Sequence, residues 1–160
     1  MLANRYRVEH TEQLRRSFYA LTGRDLIDPT LSPEAAAKTL FHAPFVLLSH
    51  NDDSDPLLTY GNRGALELFA LSWEALIQMP SRLTAEAPNR AERSRLLAEV
   101  AARGFIDDYS GVRIARTEKR FLIERATVWN LTDEADQRCG QAATFQAWRY
   151  LEDGEPEQRR

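Results

Sequence analysis

The C-terminal third of the chain constrains the fold most. Three strand-like runs, at 109–115, 121–131 and 140–148, are joined only by Arg116-Thr-Glu-Lys119 and Thr132-Asp-Glu-Ala-Asp-Gln137. A parallel connection needs a crossover of about a dozen residues or more, so links this short dictate an antiparallel meander.

The elements upstream supply a hairpin and helices. Phe45-Val-Leu-Leu48 and Leu57-Leu-Thr-Tyr60 are short strand candidates on either side of the acidic turn Asn51-Asp-Asp-Ser-Asp-Pro56. Asn62 is placed to cap a helix carrying Ala65, Leu66, Leu68 and Phe69, and Ser72 to open a shorter one with Leu76 and Ile77 that Pro80 ends. The longest helix begins at Pro88 or Asn89 and stops at Gly104. Leu96, Leu97, Val100 and Ala101 form its buried stripe, and Arg90, Glu92, Arg93, Arg95 and Glu99 are expected to face water.

Two further helices precede the hairpin. Residues 10–22 place Leu14, Phe18 and Leu21 on one face behind a Thr11 cap, with Gly23 as the stop. Ser32-Pro-Glu34 opens the second, which should end before Pro44. The stripe of the first either folds back onto the outer face of the sheet or packs against the same stripe of a second subunit, and the homodimer through residues 10–22 is favoured. The organisation expected is therefore N-terminal flanking helices over 1–42, an α+β domain over 43–148, and a polar, disordered tail over 149–160.

With 160 residues, 43% of them hydrophobic and 28% charged, the chain can build one good core. A net charge of −3 argues against a nucleic-acid surface, which needs an excess of Lys and Arg. The absence of a long apolar run argues against a signal peptide or membrane span, and a single cysteine, Cys139, rules out an internal disulfide; a cytoplasmic protein is expected.

Two strands, several short helices and three long strands follow the order of elements in PAS domains. Tyr60-Gly-Asn-Arg-Gly-Ala-Leu-Glu-Leu-Phe69 with Ser72-Trp-Glu-Ala-Leu76 resembles the PAS strand-to-helix signature. A closer resemblance is to the MEKHLA family, a PAS-like group. It is carried by Ala43-Pro-Phe-Val-Leu-Leu-Ser-His50, Pro80-Ser-Arg-Leu-Thr-Ala-Glu86, Gly104-Phe-Ile-Asp-Asp-Tyr-Ser-Gly-Val-Arg113, Ala126-Thr-Val-Trp-Asn-Leu131 and Gly140-Gln-Ala-Ala143, spread over about residues 22–146. The resemblance implies a five-stranded antiparallel sheet with helices on one side of a small cavity. It also implies a sensory or small-molecule-binding module, with no kinase, cyclase or DNA-binding segment of its own, that passes a signal to an output protein. The alternative is a ligand-free interaction or dimerisation domain.

The residues supply few signs of catalysis. The segment that corresponds to the flavin-reactive cysteine of photosensing PAS domains is Met79-Pro-Ser-Arg-Leu-Thr84, without a cysteine. The long helix, 88–103, has no histidine for a haem iron, because His10, His42 and His50 all precede it. The cofactor is thus undetermined. Cys139 has no neighbouring His or Cys to activate it and is expected to be inert, and His50 beside the acidic turn lacks the glycine and distal glutamate of a calcium loop. Asp107, Asp108 and Tyr109 form the most enzyme-like group, but adjacent strand residues point to opposite faces, so no catalytic residue is assigned. Arg82, Arg113, Trp129 and Asn130 are polar positions within apolar segments. Arg82 or Arg113 is expected to hold the anionic end of a ligand walled by Tyr109, Trp129 and Phe145, or else to pair with Glu86, Asp107 or Asp108 as a structural ion pair.

Overall fold

The short polar links do produce an antiparallel sheet. The computed structural model describes residues 6–152. Its strands are β1 (Val46–Asn51), β2 (Leu58–Gly61), β3 (Phe105–Ile114), β4 (Arg120–Thr132), β5 (Arg138–Phe145) and β6 (Ala147–Tyr150), ordered β2-β1-β5-β4-β3 with β6 paired to β4. The run expected at 140–148 as one strand breaks at Gln146. Its first part pairs with the C-terminal half of β4 and its second part with the N-terminal half. Opposite the break, Arg125 adopts φ 53°, so the long β4 bends there and the sheet has six strands instead of five.

Helix caps fix where the chain turns. In α2 (Pro33–Phe41) the Ser32 hydroxyl accepts the Ala35 N–H at 3.2 Å, and in α4 (Trp73–Leu76) the Ser72 hydroxyl accepts the Ala75 N–H at 3.1 Å. Asn62 caps α3 (Arg63–Phe69) through the Ala65 N–H and also binds Leu47, Leu40 and Phe45, joining α2, β1 and α3. A 3₁₀ turn at Ser81–Thr84 leads into α5 (Ala87–Arg103). Gly104, at φ 100°, ends α5 and donates its N–H to the Val100 carbonyl.

α1 (Val8–Thr22) begins earlier than the Thr11 cap implies. Thr11 lies inside the first turn, buried, and its hydroxyl donates to the Val8 carbonyl at 2.9 Å; no side chain caps the helix. Leu14 and Phe18 pack on Leu47, Trp129, Leu131 and Ala142, with the Phe18 ring edge-on to Trp129 at 4.8 Å. The Thr132 N–H donates to the Ser17 hydroxyl, and the Gln13 amide donates to the Thr132 carbonyl. The stripe favoured for a homodimer is thus used within its own chain, because Trp129 and Leu131 give that sheet face an apolar surface that α1 covers.

The two-residue period of β4 divides the core. Trp129 and Leu131 face α1, while Val128 and Asn130 face α5. The sheet is therefore covered on both faces, by α1 and α2 outside and by α3 to α5 inside. Order also extends past the expected start of the polar tail: Arg149 and Tyr150 belong to β6, and Leu151 is buried with Val112 and Leu122. The rest of the tail, 153–160, lies outside the described residues.

Candidate functional site

Where α5 crosses the inner face, it leaves a cavity of about 60 Å³. The walls are apolar, formed by residues such as Leu48, Phe69, Leu96, Ile123, Val128 and Phe145. Polar residues from several elements also line it, among them His50 of β1, Arg93 of α5, Tyr109 and Arg113 of β3, and Gln141 of β5. That combination, mostly apolar with a few convergent polar groups, is the usual composition of a small-molecule site.

Arg113 is 7% exposed. Its guanidinium donates to the Val112 carbonyl at 2.8 Å and to the Tyr109 hydroxyl at 3.1 Å, and it lies 5.6 Å from the Tyr109 ring centroid. The Tyr109 hydroxyl in turn donates to the Glu92 carboxylate at 3.0 Å. Gly111 makes this arrangement fit: a Cβ there would stand 2.2 Å from the Tyr109 hydroxyl oxygen. Burial first, and then the Glu92 carboxylate against the opposing pull of Arg113, raise the Tyr109 phenol above its ordinary value, so it stays protonated as a donor.

Arg93 was expected in water and instead turns inward. It precedes Leu96, Leu97 and Val100 by three, four and seven residues, which puts it on their stripe. Burial and then the like charge of Arg113 lower it to about 10, which still leaves it cationic at neutral pH. No hydrogen bond or ion pair connects Arg93 to another described residue. His50, 8% exposed, donates from Nδ1 to the Asn51 carbonyl at 2.8 Å and leaves Nε2 buried without a partner. An orphaned buried group of this kind costs about 1–3 kcal/mol. Burial, the largest cause, lowers its pKa to about 4, so the ring is neutral.

Of the six residues expected around a cavity, Tyr109, Arg113 and Phe145 line it. Arg82 does not: it is exposed and its Nε lies 3.2 Å from Asp55, because the 3₁₀ turn at Ser81–Thr84 buries Ser81 and Thr84 and turns Arg82 out. Trp129 lies on the opposite sheet face under Phe18, as strand alternation from Val128 requires. Asn130 stands behind the wall, donating to the Val100 carbonyl at 3.1 Å and accepting from the Gln141 amide at 3.1 Å.

The acidic pair does not converge with Arg113. A register shift between Ile106 and Tyr109, with Asp108 at φ 60°, re-aims this stretch. Asp107 accepts from Thr127 at 2.7 Å and from Arg24 at 2.8 Å, and Asp108 is exposed. Cys139 accepts from the Gln13 amide at 3.0 Å; burial and then Asp133 raise its thiol pKa, which disfavours the nucleophilic thiolate.

Arg93, Glu92, His50 and Gln141 were missed as site residues. The spacing of Arg93 to Leu96 and Val100 is the legible signal for it, against the expectation from its charge that it faces water. The signal for His50 is strand alternation, since it lies two residues beyond the inward-facing Leu48.

Comparison with solved structures agrees with the fold. The PAS domain of a protein from Colwellia psychrerythraea is 17% identical, with a TM-score of 0.58 over 72% of this chain and 92% of that one. An RNA-binding Light-Oxygen-Voltage receptor is 16% identical, with a TM-score of 0.61; the match covers 74% of this chain and only 34% of the receptor. A Light-Oxygen-Voltage domain studied with a flavin analogue is 13% identical, with a TM-score of 0.56 over 73% of this chain and 84% of that one. These likenesses establish a PAS-like fold. No curated protein sequence matches the chain. Among the described residues no helix is long and apolar enough to cross a membrane. The sequence profile of the MEKHLA domain matches residues 8–150, from the first turn of α1 to the end of β6, and the chain belongs to the MEKHLA domain family.

Proposed function

We propose that the chain is a non-catalytic sensory module that takes up a small molecule between α5 and the sheet and passes its presence to a protein partner. The observation that carries this reading is the cavity itself: apolar walls enclosing an unpaired Arg93 and an orphaned His50 Nε2, polar groups that a bound molecule would satisfy. α5 turns Arg93 toward the cavity and exposes Arg95 and Glu99, so a ligand that moves the helix changes an outer surface a partner can read.

The volume limits the ligand. Pockets for drug-sized molecules run to roughly 300–1,000 Å³. The cavity here, about 60 Å³, is far too small for a flavin. The same small volume favours the second reading, a ligand-free interaction domain. An enzyme built on Asp107, Asp108 and Tyr109 has no support, since Asp107 is engaged with Arg24 and Thr127 on the side away from Arg113.

The test is native mass spectrometry of freshly purified protein with an absorption spectrum. The expected result is a colourless excess mass that denaturation releases and that Arg113→Met loses while remaining folded. A clean mass matching the chain alone would overturn the ligand reading in favour of the interaction domain, and a visible chromophore would overturn the size argument.

A further inference from the structure

The polar groups of the cavity specify more than its size. Two guanidinium groups face it, and no carboxylate lies within ion-pair distance of either among the described residues. Glu92, the nearest acid in the network, is reached only through the Tyr109 hydroxyl. A guanidinium has five N–H donors. Arg113 directs hydrogen bonds to Val112 and Tyr109, which leaves donors uncommitted, and all those of Arg93 are free of protein acceptors. Two cations beside an apolar wall are stabilised by an anion placed between them.

His50 adds an opposite requirement. A backbone carbonyl accepts only, so Nδ1 must carry the proton in the bond to Asn51, and Nε2 is a buried lone pair with nothing to receive on a side chain that lines the cavity. Its complement is a hydrogen-bond donor. The site therefore asks for negative charge at α5 and β3, and for a proton donor at β1.

Resting on the reading of the cavity as a ligand site, we propose that its ligand is a small oxyanion that also carries an O–H or N–H group. The anionic oxygens would sit on Arg93 and Arg113 and the donor on His50 Nε2. A cavity of about 60 Å³ is far below the size of drug-sized sites and favours a small ion such as a two-carbon hydroxy acid.

The experiment compares glycolate with propionate, which keeps the carboxylate and replaces hydroxyl by methyl, and with glycolamide, which keeps the hydroxyl and loses the charge. Binding to the full chain is followed by calorimetry at pH 7.5 and constant ionic strength. Glycolate should bind, with propionate about tenfold weaker, corresponding to about 1.4 kcal/mol, and glycolamide at least tenfold weaker. Arg93→Gln, which removes no protein hydrogen bond, should abolish glycolate binding without lowering Tm. His50→Leu should reduce glycolate to the level of propionate. Because that variant alters a buried site, the ¹⁵N shift of His50 Nε2 in the unsubstituted protein is a second readout and should move on adding glycolate but not propionate.

Glycolamide binding as tightly as glycolate would overturn the anion requirement, and propionate doing so would overturn the role of His50. Binding that survives Arg93→Gln would place the anion on the surface and overturn the site. If no probe binds while native mass spectrometry recovers a neutral molecule, the ligand class fails and the sensory reading stands. If no probe binds and the mass is clean, both fail.

Discussion

Replacing Asn62 with alanine should remove four hydrogen bonds at one fully buried point. Oδ1 accepts the Leu47 N–H at 3.1 Å and the Ala65 N–H at 3.0 Å, while Nδ2 donates to the Leu40 carbonyl at 3.0 Å and the Phe45 carbonyl at 2.9 Å. Loss of the α3 cap alone costs about 1 kcal/mol. The Leu47 amide and the Phe45 carbonyl become additional orphans at about 1 kcal/mol each, the low end for buried groups, while the Leu40 carbonyl keeps the Ala43 N–H, which brings the total to about 3 kcal/mol. For a chain of this length that corresponds to a fall in Tm of roughly 6–12 °C. Urea denaturation followed by circular dichroism measures the loss, with the slope m expected to stay constant. Ser72→Ala is the control, because it removes a single 3.1 Å cap bond at an exposed helix start and should cost about 1 kcal/mol. Asn62→Asp keeps the two acceptor bonds but sets a buried carboxylate oxygen against the Leu40 and Phe45 carbonyls, so it should cost at least as much as Asn62→Ala. An Asn62→Ala loss no greater than that of Ser72→Ala would refute the argument that this side chain joins α2, β1 and α3.

Phe18→Ala should cost roughly 3–5 kcal/mol and expose Trp129, seen as a red shift in its emission; an unchanged spectrum would mean that α1 does not cover the sheet. Gly140→Ala would bring a Cβ to 2.2 Å from the His50 carbonyl oxygen, which the β1–β5 ladder holds in place, so a loss above about 2 kcal/mol is expected in urea and one below about 0.5 kcal/mol contradicts that register. His10 and His50 are both lowered to about 4, in each case chiefly by burial, against about 6.5 unfolded. Between those values the unfolded chain binds more protons. Stability should therefore be flat above about pH 7 and fall toward pH 4 by up to about 1.4 kcal/mol per pH unit for each histidine. Urea midpoints at pH 7.5 and 5.0 should show the fall, and His10→Gln should reduce it; equal midpoints would show that neither ring is buried neutral.

The elements were legible where a local rule decides them. Ser32, Asn62 and Ser72 act as caps, Gly23 and Gly104 end helices, and the links 116–119 and 132–137 force the meander. Half of the expected cavity residues, Tyr109, Arg113 and Phe145, were legible because they alternate inward on strands. The misplacements share a cause. Arg82 and Arg93 were assigned from charge and neighbourhood, yet the direction of a side chain depends on which face its element turns to the sheet. Trp129 stands out in the sequence as a polar position within an apolar segment, and the fold-back of α1, the alternative to a dimer, places it under Phe18 on the outer face.

By itself, then, the sequence determined the order and type of most elements, the ends marked by a cap or a terminal glycine, and the family, since caps, periodicity and short links act within a few residues of one another. Only the tertiary structure decided that α1 covers the outer face of its own sheet, that β5 and β6 part at Gln146, and that Arg93, Arg113 and His50 meet at one cavity. The last three come from α5, β3 and β1, separated by up to 63 positions between His50 and Arg113, and their meeting depends on sheet order and the path of α5 across it. Those are set by which burial arrangement of both faces excludes the most water, a property of the whole chain that no local pattern encodes.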